Sequence, residues 1–211
     1  MKHVALWVTL AGIATFSLGC GGGSGGSSLP TCSAFNACGG DITGTWTFDS
    51  VCAEGDIAAS LLDTSGLPSQ CSDVIKNLGL KMTGTLTYAN GTETANATET
   101  VTARAVYSSA CINAEAGGTV AVTQSLCDTI ASSAASSGGP TMSCKLSNGG
   151  CDCSLTMTQD EQTTDTYTVT GGTLTYSDGS SIQYCVSGQT LTVRPPPSGS
   201  EPAMQFKLHR T

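Results

Sequence analysis

The sequence predicts an all-β protein, a barrel or a sandwich of short antiparallel strands with a few helical insertions. About eight or nine segments rich in Thr and β-branched residues follow one another at regular spacing. Turn signals such as Gly171-Gly172 and Ser177-Asp178-Gly179 separate them. Only 11% of the residues are charged and 5% are aromatic, so a large aromatic core is excluded. The eleven cysteines indicate that disulfides supply part of the stability.

The first nineteen residues have the layout of a secretory signal peptide. Lys2 is followed by an apolar run from Val4 to Phe16 and then by small residues. This run is too short to span a bilayer as a stable anchor. The segment Ser17-Leu18-Gly19-Cys20 resembles the lipobox of bacterial lipoproteins. The resemblance implies that Cys20 is acylated, by palmitate or a similar chain, and becomes the new N-terminus.

Residues 20–30 predict a lipidated cysteine followed by a flexible tether. The segment Gly21–Pro30 consists almost entirely of Gly and Ser. A ten-residue chain of this kind has an end-to-end distance of about 17 Å, so the domain would lie just off the membrane surface. Gly21, where other lipoproteins have Asp, resembles the pattern of lipoproteins sent to the outer membrane. The expected partner is therefore a membrane, reached through the lipid anchor.

The other cysteines form an even set. In an exported chain an even set predicts a disulfide framework of up to five bridges in an oxidising compartment, and the pairing cannot be read from the sequence. The set comprises Cys32, Cys38, Cys52, Cys71, Cys111, Cys127, Cys144, Cys151, Cys153 and Cys185.

The charge of the chain excludes two classes of partner. The formal net charge is −8, and removal of the signal peptide with Lys2 makes it one unit more negative. Nucleic acid and anionic lipid headgroups are poor partners for such a protein. A protein partner is not identified by the sequence.

The first half of the domain combines strands with helical turns. Thr31–Asp41 is rich in Cys and Gly and predicts an irregular lead-in. The first strand, Gly44–Cys52, alternates so that Trp46, Phe48, Ser50 and Cys52 share one face. Glu54–Leu62 and Ser69–Leu78 predict short helices.

A hairpin and a helix follow. Leu80–Tyr107 predicts a hairpin that turns at Asn90-Gly91. Thr123–Ser136 predicts a helix that a disulfide at Cys127 pins to the body. The remaining predicted strands are Cys151–Thr158, Thr164–Thr170, Gly172–Tyr176, Ser180–Val186, Gln189–Val193 and Met204–His209.

Two marks make residues 31–211 resemble the lipocalin-like β-barrels of bacterial lipoproteins. One is Gly44-Thr45-Trp46 after the lead Gly40-Asp41, and the other is the final strand ending in Lys207–Arg210. The segment Ser181–Val193 also looks like the late hairpin of such barrels. The resemblance implies a closed antiparallel barrel. It further implies that Trp46 plugs one end while Arg210, on the same face as Phe206 and Leu208, packs over its ring.

The same resemblance implies a ligand inside the barrel. A small apolar ligand would enter the barrel mouth, where pockets are mostly apolar. An eight-stranded barrel can instead fill its interior with side chains, and the protein would then be a structural or interaction module of the cell envelope. The expected lining residues are Phe48, Met82, Leu86, Tyr88, Tyr107, Met157, Tyr184 and Phe206.

The sequence predicts no enzyme and no cofactor. His209 is the only histidine after the signal peptide, and strand parity turns it towards solvent. The segment Gly22–Gly26 fits G-x-S-x-G but lacks the strand and helix that a nucleophile elbow needs.

No metal site is predicted either. Cys144, Cys151 and Cys153 lie close together, but an exported chain oxidises such thiols to disulfides. Asp160, Glu161 and Asp165 form an acidic segment that could hold Ca²⁺. We expect it to be a solvated turn between two strands.

Overall fold

An eight-stranded antiparallel β-barrel forms the body of the protein, and this confirms the predicted barrel. The structure is a computed structural model and describes residues 29–136, 141–197 and 202–211. The strands are β1 (Gly44–Ala53), β2 (Ile75–Ala89), β3 (Thr92–Tyr107), β4 (Thr141–Ser147), β5 (Gly150–Thr170), β6 (Thr173–Tyr176), β7 (Ser181–Ser187), β8 (Thr190–Arg194) and β9 (Met204–Arg210). They pair in the order β3-β2-β1-β9-β8-β7-β6-β5-β4, and a further pairing of β3 with β5 closes eight of them into a ring.

The predicted signal peptide, Cys20 and most of the predicted tether lie outside the described residues. The last two tether residues are part of the fold. Leu29 packs against the barrel core, and the carbonyl of Pro30 accepts a hydrogen bond of 3.0 Å from the amide of Ala53. Leu29 thus contacts the fold through its side chain, and Pro30 contacts it through a backbone bond to β1.

The β2–β3 hairpin forms as predicted. Asn90 and Gly91 take φ angles of 53° and 72°, the left-handed values that a tight turn between strands requires. Earlier in β2, Gly84 has a φ of 104°, and a Cβ at this position would lie 2.1 Å from the carbonyl oxygen of Asn96. The close approach of β2 and β3 at this point therefore depends on glycine.

Strand β1 carries a bulge that changes the predicted parity. The pairing of β1 with β9 shifts between Phe48 and Ser50. Beyond this point Val51 and Ala53 face the core, while Ser50 is exposed and Cys52 is half-buried. The prediction that Ser50 and Cys52 continue the inward face is therefore wrong, because one extra residue in a bulge reverses the alternation.

Strand β5 is longer than predicted. Cys151–Thr158 and Thr164–Thr170 were predicted as two strands with an acidic turn between them, and the structure shows one continuous strand of 21 residues. Pairing with β3 from Tyr107↔Cys151 to Thr92↔Thr166 holds the whole segment extended. The polar composition of residues 159–165 did not reveal this long-range pairing. Strand β4, which the sequence did not predict, pairs with the other edge of β5.

Three helices join the strands. Helix α1 (Ile57–Ser65) begins at Asp56, whose side chain accepts a hydrogen bond of 3.1 Å from the amide of Ala59, and ends at Gly66 in the left-handed conformation. It confirms the helix predicted around residues 54–62. Only Ser69–Cys71 of the second predicted helix is helical, a single 3-10 turn, because residues from Ile75 onward pair with β3.

The other two helices lie between β3 and β4. Helix α2 (Ser109–Glu115) was not predicted, whereas α3 (Gln124–Ser136) confirms the predicted helix at residues 123–136. The side chain of Gln124 bonds the carbonyl of Cys144 at 3.1 Å and the amide of Leu146 at 2.8 Å, so it covers the outer edge of β4. Among the described residues, no helix has the length and apolar character needed to cross a bilayer.

The buried residues form two groups. The barrel core fills the ring and includes Trp46, Leu86, Tyr88 and Phe206. The side core lies where β3 and β5 extend beyond the ring and are covered by helices. Its members are Leu62, Val74, Ala105, Ile112, Cys127, Cys144, Cys151, Cys153 and Leu155.

Five disulfides connect these parts, and they use all ten cysteines that the sequence assigned to a framework. Cys32–Cys52 and Cys38–Cys185 tie the lead-in to the barrel. Cys71–Cys111 joins the 3-10 turn to α2, whereas Cys127–Cys151 and Cys144–Cys153 join α3 and β4 to β5.

Candidate functional site

One end of the barrel is closed by Trp46 and Arg210. These residues lie opposite each other on β1 and β9, and Cζ of Arg210 lies 4.5 Å from the centroid of the Trp46 ring. Trp46 is fully buried. A guanidinium over an indole face contributes about 0.5–2 kcal/mol and fixes the orientation of both groups.

The lead-in completes this closure with three consecutive carbonyls. The carbonyl of Ile42 accepts a hydrogen bond of 2.7 Å from the indole nitrogen of Trp46, and that of Asp41 accepts one of 2.9 Å from Arg210. The carbonyl of Gly40 accepts the hydroxyl of Tyr184 at 3.1 Å. Three side chains from different strands thus hold one backbone segment across the barrel end.

The opposite end, where β1 finishes, carries helix α1. Its Ile57 and Leu61 are buried and belong to the barrel core. The next residue, Leu62, packs in the side core. The helix therefore covers this end and links the two cores.

Six of the eight residues predicted to line a ligand pocket are buried in the barrel core. Met157 packs against that core and is half-buried, whereas Tyr107 packs against the side core, so the structure does not bring it to the others. The six are Phe48, Met82, Leu86, Tyr88, Tyr184 and Phe206. Phe48 and Phe206 form an edge-to-face pair with 6.3 Å between ring centroids, and Leu86, Tyr88 and Phe206 also line a small cavity.

A small cavity remains beside the barrel core. It has a volume of about 30 Å³, and its lining includes Tyr88, Glu93, Asp165, Tyr176 and Ser180. This volume holds about one water molecule, whereas pockets for small organic ligands measure about 300–1,000 Å³. This cavity therefore has no room for a lipid chain.

Four carboxylates line one side of the interior, and we call them the acidic wall: Glu93 and Glu99 on β3, and Glu161 and Asp165 on β5. On β3 the two glutamates alternate onto the same face as the buried Ala95, Ala97 and Val101. Glu161 pairs with Ala97, and Asp165 pairs with Glu93, so all four share this face. Neither β3 nor β5 presents a Lys, Arg or His on it.

The deepest member of the acidic wall is Glu93. It is 5% exposed, and its carboxylate accepts a hydrogen bond of 2.5 Å from the hydroxyl of Tyr176. Burial raises the pKa of Glu93, because a charged carboxylate loses its hydration there. Burial raises the pKa of Tyr88 well above its usual value, and the neighbouring Glu93 adds a smaller shift in the same direction.

The outer members of the acidic wall are half-buried. Burial raises the pKa of Glu99 to about 7, and the charge of Glu161 adds to the shift. Burial also raises the pKa of Glu161, with further contributions from Glu93 and Asp165. Each of Glu99 and Glu161 has one buried carboxylate oxygen, Oε1, with no hydrogen-bond partner among the described residues.

The acidic wall was not predicted from the sequence, because Glu161 and Asp165 were assigned to a turn. Asp160, Glu161 and Asp165 lie within β5, so the predicted solvated turn is wrong. Asp160 faces outward and accepts a hydrogen bond of 2.6 Å from the hydroxyl of Thr98. The alternation of Leu155 and Met157 continues in phase through Glu161, and this was the signal that could have revealed the inward carboxylates.

The other candidate residues are separate from the barrel interior. His209 is exposed on β9. Cys144, Cys151 and Cys153 are all in disulfides. In the described ranges, no three side chains of His, Cys, Asp or Glu lie together in a way that could hold a metal ion.

A larger cleft of about 460 Å³ lies on the surface beside the lead-in, lined by Cys32–Phe35 and three polar side chains. Its charged groups neutralise each other. Arg194 binds Glu54 through two hydrogen bonds of 2.5 and 2.7 Å, and this pairing lowers the pKa of Glu54. The amide of Gln205 also reaches Glu54 at 3.0 Å. The cleft therefore presents few unused binding groups.

The comparisons with known proteins found no similarity to report: no protein-family model matches the chain, and neither does any curated protein or solved structure. The fold and the site geometry define a class of protein. The chain forms a disulfide-linked antiparallel β-barrel with both ends covered and four carboxylates along one inner side.

Proposed function

We propose that the protein is a non-catalytic module of a bacterial cell envelope, held at the outer membrane by a lipid on Cys20, with a barrel filled by its own side chains. The observation that carries this proposal is the packed barrel core, beside which the cavity lined by Tyr88 and Glu93 measures about 30 Å³. It favours a structural or interaction role over storage of an apolar ligand.

The coverage of the barrel ends supports the same reading. A lipid-binding barrel needs an open mouth, but Trp46 and Arg210 cover one end and helix α1 covers the other. Removal of α1 from its place would expose the buried side chains of Ile57 and Leu61 to water. The barrel thus gains stability from staying closed.

The location rests on the N-terminal sequence and on the disulfides. Five disulfides are typical of an exported protein. The lipobox-like segment Ser17–Cys20 and the Gly/Ser tether after it support a lipid anchor at Cys20. Display on either face of the outer membrane is compatible with this arrangement.

The anchor is tested by intact mass and membrane fractionation. The mature chain should begin at Cys20 and carry the mass of a diacylglyceryl group, and reduction should add two hydrogens for each of the five disulfides. The Cys20→Ser variant should lack the lipid mass. An unmodified Cys20 in the exported wild-type protein would refute the anchor.

The filled interior is tested by the fluorescence of Trp46, the only tryptophan beyond residue 26. All contacts described above lie within residues 29–211, so a chain starting at Ser27 retains them. Titration of this chain with long-chain fatty acids should leave the emission unchanged. A saturable change would instead support a ligand pocket, and heteronuclear NMR would then show whether Phe48 and Phe206 move apart.

A further inference from the structure

We propose that an open edge of β5, residues 157–165, binds an extended peptide segment rich in Lys or Arg as an additional strand. The proposal rests on the interaction role proposed above and gives that role a partner of defined chemistry. Three features of β5 support it: backbone groups without a partner, a strand that β3 holds extended, and an acidic composition.

The first feature is an interruption in the pairing of β5. On one side of this strand, β4 pairs with residues up to Thr156, and β6 pairs from Tyr167 onward. Along residues 157–165 no described strand pairs on this side, whereas β3 pairs along the whole other side. The open edge therefore lies between two paired segments of the same strand.

The direction of the backbone shows which residues of β5 point to the open edge. The amide of Tyr167 donates to the carbonyl of Gly91 at 2.9 Å, on the side of β3. The carbonyl of Thr166 accepts the amide of Ser177 at 3.2 Å, on the opposite side. Successive residues of an antiparallel strand direct their N–H and C=O groups to alternate sides. The even-numbered residues of β5 therefore direct theirs away from β3.

Asp160, Gln162 and Thr164 thus present backbone groups to the open edge. No described residue forms a backbone hydrogen bond with these groups. The three side chains are exposed, so no described part of the chain covers the edge. A row of exposed N–H and C=O groups on a strand edge is a template for pairing with another chain.

The second feature is that β3 already holds the edge extended. The register of β3 and β5 runs without a shift from Thr92↔Thr166 to Tyr107↔Cys151. A preformed edge needs no rearrangement when a partner binds, so only the peptide loses conformational freedom. Main-chain hydrogen bonds then provide affinity, and the side chains provide specificity.

The third feature is the charge, which favours a basic peptide over a second copy of the chain. The open edge contains Asp160, Glu161 and Asp165 and no Lys, Arg or His. Two copies paired along this edge would bring their carboxylates together, and like charges on paired strands are destabilising. Asp160 and Glu161 lie on opposite faces of β5, so adjacent basic residues of an added strand would each meet a carboxylate.

The experiment is calorimetric titration of the chain starting at Ser27 with a peptide that matches the open edge in length and has a central Lys-Lys pair flanked by Thr. The same peptide with N-methyl groups on its central residues keeps both charges but loses its backbone donors there. It should bind about tenfold more weakly. A peptide with Glu-Glu in place of Lys-Lys should not bind.

The charge contribution is tested by Glu161→Gln, which should weaken binding of the Lys-Lys peptide. The matched control is Glu115→Gln, which removes one exposed carboxylate from α2 and so changes the net charge equally. It should bind as the wild type does. Equal weakening by both variants would show attraction to the net charge alone and would overturn the proposal.

Amide hydrogen exchange on the unmodified chain tests the site without any variant. The bound peptide should slow exchange at Asp160, Gln162 and Thr164 and leave Glu161 and Thr163 unchanged, because the amides of these two point to β3. Absence of binding, equal binding of the N-methylated peptide, protection without this alternation, or self-association along this edge would overturn the proposal. None of these outcomes would affect the packed core or the lipid anchor.

Discussion

The guanidinium of Arg210 lies over the indole of Trp46, with 4.5 Å between Cζ and the ring centroid, and also donates to the carbonyl of Asp41 at 2.9 Å. One side chain thus joins the last strand, the first strand and the lead-in. The contact therefore joins the first strand of the barrel to the last strand at one end of the barrel.

Replacement of Arg210 should loosen this end. We expect Arg210→Ala to lower the free energy of unfolding by about 1–2 kcal/mol, because it loses the cation–π contact and the Asp41 bond. The emission of Trp46 should shift to longer wavelength as water reaches the ring. Chemical denaturation followed by fluorescence measures both effects. Lys207→Ala, on the exposed face of the same strand, should change neither.

Gly84 should tolerate no side chain. A Cβ would lie 2.1 Å from the carbonyl oxygen of Asn96, and the φ of 104° is unfavourable for any other residue. We expect Gly84→Ala to lower the free energy of unfolding by about 3 kcal/mol, since β2 and β3 must separate or strain. Gly118→Ala is the control, because nothing lies within 4 Å of its Cβ position. Equal stability of the two variants would contradict the close approach.

The acidic wall should make stability depend on pH. The pKa of Glu99 is raised from 4.5 to about 7 in the folded chain, so between these values the folded state holds a proton that the unfolded state has released. The free energy of unfolding should therefore fall as pH rises from about 4.5 to about 7 and level off above. Burial of Glu93 and Glu161 acts in the same direction.

The Glu99→Gln variant tests this assignment. It cannot lose a proton in this range, so its unfolding free energy should fall less between pH 5 and pH 7.5 than that of the wild type. Urea denaturation at a series of pH values measures the difference. An identical pH dependence in both proteins would show that Glu99 is hydrated like a surface carboxylate.

The disulfides should contribute unequally. Cys38–Cys185 spans 147 residues and Cys144–Cys153 spans 9, and the loss of chain entropy in the unfolded state grows with the span. Replacing both cysteines of the longer bridge by Ser should cost about 5 kcal/mol, against about 3 kcal/mol for the shorter one. Thermal unfolding of the two double variants gives the order. The reverse order would mean that the side core depends on its bridge more than the lead-in does.

Local patterns predicted much of the barrel and little of the acidic wall. The turn at Asn90-Gly91 and the helix with Cys127 could be read from neighbouring residues alone, and both are present. The bulge after Phe48 reversed a parity that the sequence pattern alone supported. Residues 159–165 were too polar to be recognised as a strand, because their extended form comes from β3, which lies some sixty residues earlier in the chain.

By itself the sequence determined the strand-rich character, the positions of most turns and an even set of cysteines, because these follow from short-range periodicity and composition. Only the tertiary structure decided which cysteines pair, that β3 closes the ring on β5, and that Glu93, Glu99 and Glu161 face inward. The physical reason is register: a strand presents either face equally well until a distant partner selects the hydrogen-bonded pairs. The pairing of β5 with β3 therefore places Glu161 and Asp165 on the inner face of the barrel.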